Sequence, residues 1–392
     1  MTLFDAVMRA DTIFDQAQAL FNHGRLQEAS RLFQETHALR PRPRSHFGIA
    51  LASAALGRRQ DALSSYRTAI ELDFKFWQAR VNLGVLLRES RELAQAMQQH
   101  LLAYALAPDD GSTLYNLAET HFAAGNRHAA RALIEQCCAR NPGFVLAQRS
   151  AQRFKRDAPW PAPAGRPSYG PAFDAAVALS NQGDAAIQAF EALPAAAATD
   201  AAVLTNHGNA LSAAGRMEAA LDLHRRAVAA EPRLAVAHHN HGFVLQRMDN
   251  IDPACAAYRL ALTFAPQEAA TWMNLGHALR SAGHGPDALD VFRIAAELRP
   301  DLRDPLIEIA KIGRSYNRWE LALDAYKRME KLTPDDSFVA NEAGACLFGM
   351  NRMQEARPYF VKATELDPNS PWGYANRSLP RTRRTHRRVS AG

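Results

Sequence analysis

Prolines recur in the second half of the chain at a fixed step of 34 residues: Pro232, Pro266, Pro300, Pro334 and Pro368. Pro108 and Pro142 repeat that step in the first half. A period of this length makes the fold an array of one supersecondary unit, because a unit so small cannot bury an apolar face without its neighbours. Twelve residues before each proline stands an alanine: Ala96, Ala130, Ala220, Ala254, Ala288, Ala322 and Ala356. Twelve before the alanine comes Gly or Ala: Gly84, Ala118, Gly208, Gly242, Gly276, Ala310 and Gly344. Eight before the proline is an aromatic or His (His100, His224, Tyr258, Phe292, Tyr326, Phe360), with Ile134 as the exception.

These residue types predict a helical hairpin. Small residues are expected where its two helices come closest, and the aromatic fills the space towards the next hairpin. Proline stops the second helix, and the Asp or Asn after it (Asp109, Asp301, Asp335, Asn369) is placed to cap the following one. The turn inside each unit is marked by Gly24, Gly57, Gly125, Gly215 and Gly283, or by Asp249, Asn317 and Asn351.

In WMNLGHALRSAGHGPDALDVFRIAAELRP (272–300), Trp272, Leu275, Gly276, Gly283, Ala288, Phe292, Ala295 and Pro300 stand where the pattern asks for them. This resembles the tetratricopeptide repeat family, which implies an all-α superhelical solenoid of helix-turn-helix repeats. Four repeats fall at about 10–42, 43–76, 77–110 and 111–144, and five at 201–234, 235–268, 269–302, 303–336 and 337–370, with a partial one at 371–376. The expected division is an N-terminal array at 1–154, a Pro-rich linker at 155–171, a degenerate hairpin at 172–200, a C-terminal array at 201–376 and a basic tail at 377–392. Phe74 stands where the second repeat should have Pro, and Gly313 and Met329 depart from the pattern in the 303–336 repeat. Between Pro142 and Pro232 the register breaks. DAPWPAPAGRPSYGP (157–171) has five prolines and reads as a hinge, the alternative being a peptide-like ligand for a groove.

Charge sharpens the picture. The 46 Lys+Arg against 40 Asp+Glu give +6, but residues 377–392 hold six Arg and no acid, so the remainder has 40 of each. Any nucleic-acid contact is therefore assigned to the tail alone. At 47% hydrophobic and 22% charged the chain is not disordered throughout. It lacks an apolar run of the ~20 residues a membrane span needs, and Asp5 and Asp11 interrupt a signal-peptide core, so the expected location is cytoplasmic. Four cysteines, two of them adjacent at Cys137 and Cys138, form no Cys-x-x-Cys pair and read as buried apolar side chains.

The family resemblance implies a groove lined by the first helix of each repeat, with the second, fifth, ninth, twelfth and thirteenth residues facing it. In the C-terminal array these places supply His239, Phe243, Arg247, His277, Arg280, Lys311, Arg314 and Phe338, a basic and partly aromatic lane. That lane suits an extended or acidic peptide; the alternative is a solvated charged face. In the N-terminal array the same places give Arg88, Glu89, Tyr115, Glu119 and Phe122, with no single sign. Asn82, Asn116, Asn206, Asn240 and Asn274 all lie two residues before the Gly or Ala of their repeat. They are similar to the asparagine ladder in the repeat domain of protein O-linked N-acetylglucosamine transferases, and an amide, donor and acceptor together, suits a peptide backbone. Glu308 and Glu342 replace Asn in the last two repeats. A chaperone-tail clamp is not matched, since Thr205, Ala270 and Asn274 stand where its cations belong.

His207, His238, His239, His241 and His277 invite a metal reading, but no nearby Cys or carboxylate completes a ligand set, so no metal or other cofactor is expected. Phosphate-loop, Gly-x-Ser-x-Gly and His-Glu-x-x-His signatures are missing. The expected function is a non-catalytic scaffold that binds partner proteins or extended peptides. The alternative is the substrate-recruiting repeat region of a glycosyltransferase or sulfotransferase.

Overall fold

The computed structural model describes residues 3–154, 170–180 and 182–370. The linker through residue 169, the partial repeat at 371–376 and the basic tail lie outside the described residues. Among those described there are 21 α-helices and no strand. In the first array α1 (Leu3–Asn22) pairs with α2 (Leu26–Leu39), and α3 (Pro43–Ala55) with α4 (Arg59–Leu72). Next, α5 (Trp77–Glu89) pairs with α6 (Leu93–Leu106) and α7 (Gly111–Ala123) with α8 (Arg127–Arg140), and α9 (Val145–Phe154) packs as a half pair. A short pair, α10 (Gly170–Ala178) and α11 (Asp184–Glu191), leads through a 3-10 turn at Ala195–Thr199 to the second array. There α12 (Ala201–Ala213) pairs with α13 (Met217–Ala230), and α14 (Ala235–Arg247) with α15 (Ile251–Phe264). The rest are α16 (Ala269–Ser281), α17 (Gly285–Leu298), α18 (Arg303–Ser315), α19 (Trp319–Leu332), α20 (Ser337–Gly349) and α21 (Met353–Leu366). The chain is an all-α repeat solenoid. Two compact units part between Ile294 and Ala295.

The repeat residues do their expected work with two corrections. Ala62, Ala96, Ala130, Ala220, Ala254, Ala288, Ala322 and Ala356 have no exposed surface at all, as a helix crossing requires. The glycine of the first helix, however, is small because a ring lies on it. A Cβ at Gly84, Gly208, Gly242, Gly276 or Gly344 would come within 3.0 Å of His100, His224, Tyr258, Phe292 or Phe360 of the same repeat. In the 303–336 repeat that place is Ala310, and at Gly313, three residues on, the backbones close up: its Cβ would meet the Arg318 carbonyl and Ala322 amide at 3.2 Å. The second correction concerns caps. Asp110 and Asp336, one residue beyond the predicted Asp109 and Asp335, accept from the amides of Thr113 and Val339, while Asp109 and Asp301 pair with Arg140 and Arg299.

All eight marked turn residues have φ between +55° and +82°. Arg91, φ +66°, fills the same place in the 77–110 repeat without a Gly, Asn or Asp. The second helix ends two residues before proline, with the intervening residue extended (Ala107 φ −142°, Thr333 φ −138°). Asp73 takes the same conformation, φ −144°, before Phe74, so the repeat sets this bend and proline only favours it.

The fourth residue of the first helix carries a recurrent bond. Trp272 Nε1 donates to the Pro266 carbonyl at 2.8 Å, six residues back. His238 Nε2 reaches the Pro232 carbonyl at 3.0 Å, Gln148 the Pro142 carbonyl at 2.6 Å, and Arg80 Nε the Phe74 carbonyl at 3.1 Å. Four different side chains meet one need, to satisfy a carbonyl left over at a helix end.

Within Met1–Ile294 the two arrays touch, α15 against α6 and α8. Several polar side chains meet there. Arg80, 1% exposed, is 2.9 Å from Asp290 and also donates to Gln99. Arg259 donates to Gln98 at 3.2 Å, the buried His121 shares a hydrogen bond with Thr263 at 2.8 Å, and Arg233 reaches Glu135 at 3.0 Å. Phe74 lies under the Arg293 guanidinium at 3.8 Å, so the residue that breaks the proline pattern serves this contact.

Candidate functional site

The asparagines stand at the sixth place of successive first helices, all half-buried. An amide this close to its own backbone bonds locally first. Asn116 and Asn206 donate to the carbonyls of Ser112 and Ala202, four residues back, each at 2.9 Å. Asn82 hydrogen-bonds the Tyr66 hydroxyl, whose pKa burial pushes up. Asn274 Nδ2 lies 3.4 Å from His239 Nε2, and His239 Nδ1 is 2.7 Å from the Thr271 hydroxyl. His239 thus ties α14 to α16, and burial lowers its pKa against the pull of Glu268. Asn240 sits half-buried beside it on α14.

Phe243, 39% exposed, is the outward aromatic of α14, with the Arg247 guanidinium 6.0 Å from its ring centre. His277 on α16 stands edge-on to Phe292 at 5.2 Å, and Arg280, at the far end of α16, is exposed. The 201–294 stretch therefore brings His239, Asn274, Phe243 and Arg247 into neighbouring positions on two first helices.

In the second compact unit the cations of the lane have counter-ions. Lys311 pairs with Glu308 at 3.0 Å, and Arg314 with Glu342. Glu342 is buried and also accepts from the Tyr326 hydroxyl at 3.2 Å and the Asn341 amide at 3.3 Å. Lys311, Arg314, Ser315, Trp319 and Tyr326 line a cavity of about 410 Å³. Phe338, half exposed on α20, is the further aromatic of that stretch. The two glutamates that interrupt the asparagine series hold the two cations and offset their charge.

Tetratricopeptide repeat models match residues 14–73, 47–111, 111–141, 271–306 and 340–370. The chain belongs to the tetratricopeptide repeat family. Similar solved structures include YrrB, described as a TPR protein with an unusual peptide-binding site, at 19% identity over 46% of this chain and 93% of that one, TM-score 0.40. A MamA structure matches at 18% identity over 46% and 97%, TM-score 0.39. PilF of Pseudomonas aeruginosa matches at 16% identity over 55% and 100%, TM-score 0.42. No curated protein matches.

Within these tetratricopeptide repeats one relation escaped the sequence reading. The twelfth residue of one first helix reaches the sixth of the next, 28 residues on: Arg88 bonds Asn116 through its carbonyl at 3.2 Å, and Arg314 bonds Glu342. The spacing is visible in the sequence once the frame is set, but the frame alone does not say that the side chains lean that way. Three of the histidines serve the repeat itself. His238 replaces Trp as the carbonyl donor, and His224 and His241 lie in the repeat core with pKa values pushed down by burial to about 4. Among the described residues no three His, Cys, Asp or Glu converge as metal ligands, and no helix is long and apolar enough to cross a membrane.

Proposed function

We propose that the chain is a non-catalytic scaffold whose first helices grip partner proteins through extended peptide segments. In the second array α12, α14 and α16 form the groove. The amides of Asn206, Asn240 and Asn274 hold the peptide backbone, and Phe243, His239 and His277 receive its side chains. The observation that carries this reading is the exposed Phe243 ring beside half-buried amides that recur at one place on successive helices. Arg247, beside the Phe243 ring, favours a ligand with carboxylates here. Lys311 and Arg314 do not select for acid, being offset by Glu308 and Glu342.

The test is fluorescence polarisation of peptides selected on the full chain, comparing wild type with Asn240→Ala/Asn274→Ala/Phe243→Ala. A tenfold or greater loss of affinity with unchanged helicity is expected. Unchanged affinity for every selected peptide contradicts the groove. The second-helix surface variant Arg226→Ala is expected to bind as wild type.

A further inference from the structure

The contact between the arrays involves their second helices and the buried sides of their first ones. Gln98 and Gln99 lie on α6, Glu135 on α8, Arg259 and Thr263 on α15, and Asp290 and Arg293 on α17. These are outer helices in the groove frame. The first-helix candidate residues bond within their own array: Asn116 to Ser112 and Arg88, Glu119 to Ser150 and Arg153, and Asn274 to His239. Helices that dock through their second members leave the first members of both arrays turned outward.

We propose that residues 1–294 form a two-sided scaffold in which the arrays are fixed back to back and one chain holds two extended peptides at once, one per array. The proposal rests on the groove reading above and adds its valence. The two ligands differ in chemistry. The first-array lane has mixed sign, with Glu119 already held by Arg153 and Arg88 by Asn116, so it takes a peptide of no net charge. The second lane, with Arg247 beside the exposed Phe243, takes an apolar peptide carrying carboxylates. Such a chain bridges two proteins. Three bonds in the array contact suit this role, because Arg80–Asp290, Arg259–Gln98 and His121–Thr263 are directional and set one orientation.

A phage library of random 16-residue peptides selected on the immobilised full chain tests this. Two peptide sets are expected. One is weakened tenfold or more by Asn82→Ala/Asn116→Ala, and the other by Asn240→Ala/Phe243→Ala. Saturation with one peptide leaves the affinity of the other within twofold, and sedimentation gives two peptides per chain. Hydrogen exchange on the unsubstituted chain provides the same division without a variant, with one set protecting α5 and α7 and the other α14 and α16. If the sets displace each other, or only one set exists and responds to one groove, peptide binding stands and the two-sided scaffold is overturned. If peptides respond to neither pair and protect neither set of helices, the groove reading falls and the two-sided scaffold with it.

Discussion

The guanidinium of Arg80 lies 2.9 Å from the carboxylate of Asp290, 210 positions away, and is the most buried charge of the contact between the arrays. Arg80 occupies the place of the repeat's Trp and keeps that residue's bond to the preceding carbonyl with Nε, which frees a second nitrogen for the other array. Removing the partner of a buried charge generally costs ~3–5 kcal/mol. Because Arg80 retains Phe74 and Gln99 and Asp290 is a fifth exposed, Asp290→Asn is expected to destabilise by about 2 kcal/mol. Urea unfolding checks this; a change below a few tenths contradicts it.

The ring-on-glycine relation separates two kinds of glycine. Gly276→Ala drives a methyl into Phe292 and is expected to cost about 1–3 kcal/mol through overpacking, with partial rescue by Phe292→Leu. Gly57→Ala meets nothing within 4 Å but sits at φ +73°, so its cost of about 1 kcal/mol is local to the backbone. No neighbouring substitution rescues it. Thermal unfolding of the single and double variants distinguishes the two.

Acid sensitivity follows from the buried imidazoles. His224 is fully buried and, among the described residues, neither ring nitrogen has a hydrogen-bond partner. Burial is the main cause and His241 the second for its pKa near 4, against 6.5 for the free group. The folded state thus holds the neutral ring while the unfolded chain binds the proton. Its stabilising effect is complete above pH 6.5 and is lost as pH falls towards 4, by about 3 kcal/mol. His224→Phe, which restores the usual aromatic, is expected to raise Tm at neutral pH and flatten its fall between pH 6.5 and 4.5. An unchanged slope contradicts this account.

His238 supplies a donor where the repeat prefers Trp. His238→Trp is expected to keep Tm within about 2 °C, and His238→Ala to lose about 1–2 kcal/mol as the Pro232 carbonyl goes without its partner. Equal losses in both variants contradict the donor role.

Much of this was legible in the sequence, because the 34-residue period fixes helices, turns and core together. Ala288 is buried at the helix crossing as its size implies, and the tetratricopeptide resemblance holds, but Gly276 is small for the Phe292 ring of its own repeat and not for a helix crossing. The chemistry between repeats was less legible. Arg91 adopts a left-handed turn without a residue type that announces it. Glu308 and Glu342 read as interruptions of an asparagine series, yet they are the counter-ions of Lys311 and Arg314. The array contact left only an indirect mark, Arg80 at a Trp place and Phe74 at a Pro place, because periodicity describes neighbours along the solenoid and carries no information about surfaces that meet 200 residues apart.

Docking of the arrays through their second helices is the claim on which the two-sided scaffold depends. Double electron–electron resonance between spin labels at Gln95→Cys on α6 and Ala256→Cys on α15, both exposed sites, measures it in the full chain with Cys138→Ser. The account predicts one narrow, short distance distribution that broadens and lengthens on Asp290→Arg. A broad, long distribution before that substitution is made would contradict it.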